Sequence, residues 1–404
     1  MRGSADYVFN ENLKFNPPLA NAKNYPCSRF SILPTMSFSA FKKGISNFPS
    51  IFISRKPFYL QGRYAIANAL INSGVEPAAA ILLPSYHCRS LVEPAVFLRT
   101  KILFYHVDEK LRPDLQSIEE LVENSFMPVK VIMITHYFGF PQPLDWIVEF
   151  CRRKDIVLIE DCAHAFYGSV NGQAIGSFGQ FSIASPRKFL PVADGGVLVV
   201  NHGTGAELPI LTSQSVASEL KAAARAGVSI IGSLRKNGIA GDELVHGDEI
   251  LKSPENDEVY DSDLKWFDPS KVGKAGLRVS ALIINNTNHG FVCAQRRKNY
   301  QHWLDAVTGL IGCRPLFEEL PDNVVPYMFP LIITKEPKIA FHILKLNGVP
   351  VWRWEDMAVS DCKIVNDYRQ SLLQLPCHQN IAGNDIDWMA SVLRLALTTE
   401  SHKL

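Results

Sequence analysis

Apolar and polar positions are weakly ordered up to about residue 58, where Pro, Asn, Ser and Phe are frequent, and become periodic from Gly62 onward. In GRYAIANALINSG the apolar positions 65, 66, 70 and 71 form one helical stripe, and Gly74 ends it. AAAILLPSY then reads as a buried strand stopped by Pro84, and TKILFYHVD as another. LQSIEELVENS has the spacing of an amphipathic helix, VKVIMITHYFG of a strand, PLDWIVEFCRRKD of a helix, and IVLIED, QFSIAS and GGVLVVN of further strands. Strands alternating with helices of this length predict an α/β fold with a mostly parallel central sheet covered by helices on both faces. Downstream, ALIINNTNHGFVCAQRRKNYQHWLDAVTGL reads as one long helix, KIAFHILKLNGVPV as helix, Gly stop and strand, and NDIDWMASVLRLAL as a last helix. The expected organisation is an N-terminal arm over residues 1–58, a large domain over 59–310 and a smaller C-terminal α/β domain over 311–404.

Composition changes this picture little. With 404 residues, 47% apolar and 20% charged, the chain has the make-up of a soluble globular protein of one large and one small domain. A net charge of +1 gives no bulk pull toward nucleic acid or anionic lipid. The chain has no apolar run long enough for a membrane span, and MRGSADYVFNENLKF lacks the apolar core of a signal peptide, so a cytoplasmic location is expected. Eight cysteines without CxxC spacing predict reduced, mostly buried thiols and no zinc site. Charge does single out a polar insertion at about 203–276: ten acids against two lysines lie between Asp242 and Asp268. It is either solvated surface or a lid over a site.

The candidate chemistry lies in IEDCAHAFYGSVNGQAIGSFGQFSIASPRKFLPVADGGVLVVN, residues 159–201. Asp161 follows an apolar run, at the strand end where ligands of open α/β sheets collect; the alternative is a cap on the turn that follows. Lys188 stands 27 residues later, between two strand-like segments. An acid at a strand end and a Lys on a neighbouring loop suit pyridoxal phosphate: the Lys forms a Schiff base with its aldehyde, and the acid keeps its pyridine nitrogen protonated. Burial and neighbouring cations such as Arg187 would free Lys188 of its proton. The phosphate would find a helix N-terminus at Gly62, Arg63 and Tyr64, and a hydroxyl from Ser185 or Ser182. Tyr86 or His87, after the strand ending at Pro84, would lie on the cofactor ring; core packing is the alternative for Tyr86.

These residues resemble the DegT/StrS sugar aminotransferases, fold type I pyridoxal phosphate enzymes. IEDCAHAFYG is similar to the family's Asp-x-x-His/Gln element, which implies that Asp161 pairs with the pyridine nitrogen and His164 with the phenolic oxygen. PRKFLPVADGG resembles the segment of the Schiff-base lysine, which implies Lys188 for that role. THYFGFPQPLDWI resembles the His-x-x-Gly-x-Pro turn, and LLQLPCHQNIAGNDIDWM the Leu-Pro-x-His segment before the final helix. The chain departs from the pattern at Arg63, where Thr or Ser is usual, at Cys88, where the stacking aromatic aligns, at Ile183, where the phosphate-binding Ser aligns, and in GLRVS, which keeps only Arg278 of an Asn-Tyr-Arg segment. The resemblance implies a homodimeric transaminase moving an amino group, from glutamate by analogy, to a keto group of a nucleotide-linked sugar in surface polysaccharide or secondary metabolite synthesis. Alternatives are a non-sugar ketone acceptor or a cofactor-binding regulator without turnover. Lys188 argues against the dehydratase branch, which carries His there, and no basic patch points to DNA.

Overall fold

The computed structural model describes residues 13–19, 25–37, 46–53, 55, 58–77, 79–201, 208–235 (backbone only from 229) and 264–399. The acidic run between 242 and 263 therefore lies outside the described residues.

The large sheet has seven strands: β1 (Phe58–Tyr59), β2 (Ala80–Pro84), β3 (Lys101–Tyr105), β4 (Val129–Thr135), β5 (Val157–Asp161), β8 (Phe181–Ala184) and β9 (Gly196–Val200), in the order β1-β9-β8-β5-β4-β2-β3. Strands β6 (Ser169–Val170) and β7 (Gln173–Ala174) form a separate hairpin. From β3 to β8 all pairs are parallel, while β9 runs antiparallel to β8 and β1. The central strands read as unbroken apolar runs because both faces are buried. Leu82, Ile132, Ile134 and Leu158 face one core, and Ile81, Leu83, Val131, Met133 and Ile159 the other.

Helix α1 (Gly62–Asn72) and α2 (Arg89–Phe97) cover the second face. Helices α3 (Leu115–Asn124) and α4 (Asp145–Lys154) follow the pattern read from their sequences. α5 (Val216–Arg235) opens the polar insertion, and its far end returns at residues 264–267, where Glu93 of α2 accepts the N–H groups of Lys265 (3.0 Å) and Trp266 (2.9 Å) and Phe267 is buried against Tyr64 and Phe97.

The single long helix expected over 281–310 is two, α6 (Arg278–Asn286) and α7 (His289–Val307). Asn288 separates them because its Oδ1 accepts the N–H of Phe291 (2.9 Å) and starts a new helix. After α8 (Pro337–Leu346), Gly348 turns the chain at φ +75°, but residues 349–351 form no strand; only Trp352 bridges to Gln374. The small sheet is instead β10 (Cys313–Pro315), β11 (Met328–Ile333) and β12 (Leu372–Pro376), backed by α8, α9 (Lys363–Ser371) and α10 (Gly383–Thr398).

The described part of the N-terminal segment lies along this second unit within residues 14–35 and along the large domain at residues 49–52, where Pro49 O accepts the Gly168 N–H (3.0 Å) and Phe52 packs on Phe166. Phe15 pairs with Ala358, the N–H of Asn16 reaches Met357 O (2.8 Å), and that of Val359 reaches Lys14 O (2.8 Å). Phe15 is fully buried, with the Arg89 guanidinium over its ring at 4.0 Å.

Candidate active site

The carboxyl ends of the parallel strands meet the N-terminus of α1 and the edge of the small unit around a cavity of about 240 Å³. Gly62, Arg63, His87, Cys88, Thr135, Asp161, His164, Ser185, Arg187 and Lys188 line it from the large sheet's side, and Tyr327, Trp352, Trp354 and Gln374 from the other.

Strand alternation aims two adjacent acids in opposite directions. Asp161 faces the cavity, where its Oδ1 accepts the Ala163 N–H (2.9 Å) and its Oδ2 the Thr135 hydroxyl (3.3 Å). Burial raises its pKa, and Lys188, these hydrogen bonds and His136 offset part of the rise. Glu160 points into the other core, where it accepts the N–H groups of Gly176 (3.0 Å), Phe178 (2.7 Å) and Gly179 (2.7 Å) and lies 3.1 Å from His136 Nε2. The Gln142 N–H donates to His136 Nδ1 (3.0 Å), so Nε2 is the protonated nitrogen. His136, Glu160 and Cys162 cluster closely enough to suggest a metal, but both imidazole nitrogens and both carboxylate oxygens are already engaged by the protein. The cluster braces the turn at 176–179.

Lys188 closes a 3₁₀ turn, Pro186–Lys188. Its ammonium makes no salt bridge among the described residues and stands 5.5 Å from the centre of the Tyr327 ring. Burial lowers its pKa; Cys88 and Asp161 oppose this, while the charges of Arg187 and Arg63 add to it. The turn is held from behind by the fully buried Arg296 of α7. Arg296 donates from Nη2 to Lys188 O (3.0 Å) and Phe189 O (3.2 Å), from Nη1 to Pro326 O (3.2 Å) and Tyr327 O (2.9 Å), and from Nε to Gln379 Oε1 (3.2 Å). One guanidinium thus ties the lysine's loop to the small sheet.

The double glycine after Lys188 has a steric reason. A Cβ on Gly196 would lie 2.3 Å from Gln61 O and 2.7 Å from Gly62 N, so only glycine lets β9 pass beneath the start of α1. The preceding Asp194 accepts the Leu277 N–H (2.7 Å). That start of α1 carries no acid in its first turn and no side-chain cap, and Ser185 Oγ, close by, has no hydrogen-bond partner among the described residues.

His164 is buried against Tyr327 (ring centres 4.5 Å), Phe138 (5.4 Å) and Trp354 (5.4 Å). Burial first, and then the Lys188 charge, hold its pKa well below the ordinary value. Phe138 N–H donates to its Nδ1 (3.4 Å), which leaves the proton on Nε2.

Not every expected residue reaches the cavity. Tyr64 is buried against Phe267 on the far side of α1. Tyr86 lies beneath Trp354, stacked at 4.9 Å. Ser182 points to the opposite face of the sheet from Ile183, which lines the cavity, so of the two serines only Ser185 is presented. His87 lines the cavity but is committed elsewhere: its ring stacks on Phe104 (5.0 Å), and its Nε2 accepts the Ala358 N–H (3.3 Å). Burial lowers its pKa to about 4. Arg278 is exposed and does not line this chain's cavity. Sequence reasoning missed Thr135, Tyr327, Trp354 and Arg296. The helical stripe Val292, Cys293, Arg296, Asn299, Tyr300, Trp303, Val307 marks Arg296 as an inward position.

Residues 61–233 match the model of the DegT/DnrJ/EryC1/StrS aminotransferase family. A GDP-perosamine synthase of Escherichia coli O157:H7 is 28% identical over 146 residues, 35% of this chain and 39% of that protein. A dTDP-4-dehydro-2,3,6-trideoxy-D-glucose 4-aminotransferase of Saccharopolyspora spinosa is 32% identical over 124 residues, 30% of this chain and 31% of that protein. The chain thus spans about two fifths or less of the length of these curated relatives. The crystal structure of the aminotransferase TlmJ from Streptoalloteichus hindustanus superposes with a TM-score of 0.60 at 19% identity, covering 84% of this chain and 85% of that one. The fold is that of the fold type I aminotransferases.

Proposed function

We propose, from the match of residues 61–233 to the model of the DegT/DnrJ/EryC1/StrS aminotransferase family, that this protein is a pyridoxal phosphate-dependent aminotransferase. It moves an amino group from an amino acid, glutamate first among candidates, to a keto group of a nucleotide-linked sugar. The observation that carries this reading is the meeting of Asp161 and Lys188 at one cavity with the uncapped N-terminus of α1.

The residues present fit the cofactor. Lys188 is half-buried without a salt bridge among the described residues, Ser185 Oγ and the first N–H groups of α1 form an anion cradle, and Asp161 supplies a buried carboxylate. Lys188 would anchor the cofactor covalently, Asp161 would hold the proton of its ring nitrogen, and His164 Nε2–H would donate to its phenolic oxygen. The backbone N–H groups of Gly62 and Arg63 and the Ser185 hydroxyl would take its phosphate, the Arg63 guanidinium being turned to Trp266 O. Bound there, pyridoxal phosphate supplies an electron sink for the electron pair released at the donor's α-carbon. Lys188, its pKa lowered by burial, would be the base that takes the donor's α-proton on its Nζ. Tyr327, Trp352 and Trp354 exclude water from the other side. The same reading makes the protein a cytoplasmic homodimer in which the exposed Arg278 serves the partner's cavity.

The test is spectroscopic. The purified protein with pyridoxal phosphate should be yellow, L-glutamate should move its absorbance to shorter wavelength, and a nucleotide-linked keto sugar should reverse the change. If no amino donor alters the spectrum, the aminotransferase reading falls. If only simple keto acids reverse it, the sugar acceptor falls.

A further inference from the structure

We propose that Arg187 forms a carboxylate-binding subsite that holds the acid group of the amino donor. The inference rests on the aminotransferase reading above and adds a substrate group to it. The cavity is lined by three cationic side chains, Arg63, Arg187 and Lys188, against a single acid, Asp161. Lys188 faces Tyr327 and feels Asp161. The Arg63 guanidinium is turned to the carbonyl of Trp266, to which its Nη1 donates. Arg187 is half-buried on the cavity wall with neither a hydrogen bond nor an ion pair among the described residues, and unlike Lys188, which also has neither, it has no part in anchoring the cofactor. Its charge is felt at Lys188, at Tyr327 and at Arg63, and all four residues line the same cavity.

A partly desolvated guanidinium gains from an anion, and its fork matches a carboxylate with two parallel hydrogen bonds. The cofactor's phosphate is already served by the first turn of α1 and Ser185. What remains to be neutralised is the group every amino acid donor carries one bond from the carbon that Lys188 deprotonates. Arg187 adjoins Lys188 on the turn whose carbonyls Arg296 clamps, so its position is fixed relative to that amine.

The experiment titrates glutarate, a dicarboxylate with no amine to transfer, into the pyridoxal phosphate-loaded protein by calorimetry. Wild type should bind it. Arg187→Gln should bind it roughly 10- to 100-fold more weakly, the weight of a charge-assisted hydrogen bond, and Arg187→Lys should fall between, while cofactor affinity and melting temperature stay as in wild type. Equal glutarate binding by R187Q, or none by the wild type, overturns the proposal. So does an R187Q protein that loses pyridoxal phosphate yet holds phosphate-free pyridoxal as wild type does, because the anion served is then the cofactor's own. The response of wild type to L-glutamate is read separately. Arg187-dependent glutarate binding without any response to amino donors would leave the carboxylate subsite standing and the aminotransferase reading fallen.

Discussion

Replacing Arg296 with Met removes five hydrogen bonds while nearly preserving the length of the side chain. Phe189 O keeps a donor, Gln379 Nε2 at 3.0 Å, and Pro326 O keeps a weak one, Cys377 Sγ at 4.0 Å, but Lys188 O, Tyr327 O and Gln379 Oε1 lose theirs. Each orphaned buried acceptor costs about 1–3 kcal/mol. Against this, the guanidinium is buried with no carboxylate paired to it among the described residues, and removing its desolvation penalty returns several kcal/mol, roughly half of the loss. The expected net destabilisation is about 3 kcal/mol. At an unfolding entropy of about 2.1 cal/mol/K per residue, 404 residues turn this into a fall of roughly 4 °C in melting temperature. Arg296→Lys should be nearly as damaging, because an ammonium cannot reach carbonyls on both sides of the gap. Since two of the lost bonds hold the Lys188 turn, the cofactor should also dissociate faster, which stopped-flow absorbance would register. Scanning calorimetry finding R296M within 1 °C of wild type, with unchanged cofactor release, would refute the view that this arginine holds the lysine's loop.

Borohydride treatment should fix pyridoxal phosphate to the peptide carrying Lys188, and Lys188→Ala should abolish the fixation; labelling of another lysine in mass spectra would move the site. Asp161→Ala should keep some cofactor but lose at least about 100-fold in rate, about 2.7 kcal/mol of barrier, whereas near-normal turnover would make Asp161 only a local hydrogen-bond anchor. His87 should make stability fall as pH drops. Its folded pKa of about 4 lies below the ordinary 6.5, so in that window the unfolded chain takes up a proton that the native site refuses. Between pH 7 and 5 this amounts to about 2 kcal/mol. Chemical denaturation of His87→Gln at the two pH values should show a correspondingly smaller difference, and an unchanged difference would show that His87 does not titrate this way.

The large sheet was readable because strands buried on both faces leave uninterrupted apolar runs, and the turn after each run marks the edge where Asp161, Ser185 and Lys188 emerge. The small sheet was not: β12 follows α9 directly, and the Val349–Val351 run, apolar enough for a strand, is buried without pairing as one. Glu160 was legible in principle. Next to a strand-end acid facing the cavity, period-two alternation sends its neighbour into the opposite core, where a carboxylate needs donors. The break between α6 and α7 was missed because Asn288 acts through a capping bond within an apolar-looking run. Tyr64, Tyr86 and Ser182 were placed by proximity in sequence, and their side chains leave the backbone on the wrong side.

The pairing of Phe15 with Ala358 also sets an order of events during synthesis. At about 5–20 residues per second, the ribosome adds Ala358 roughly 17 to 70 seconds after Phe15. Throughout that interval the strand-like segment at residues 14–16 has no edge to join, and the aromatic ring that Arg89 covers in the finished protein depends on a backbone not yet made. The nascent chain therefore carries that open edge until residues 357–359 have been made. A product terminated ahead of residue 355 would keep that edge for good and be a natural client for chaperones and proteases.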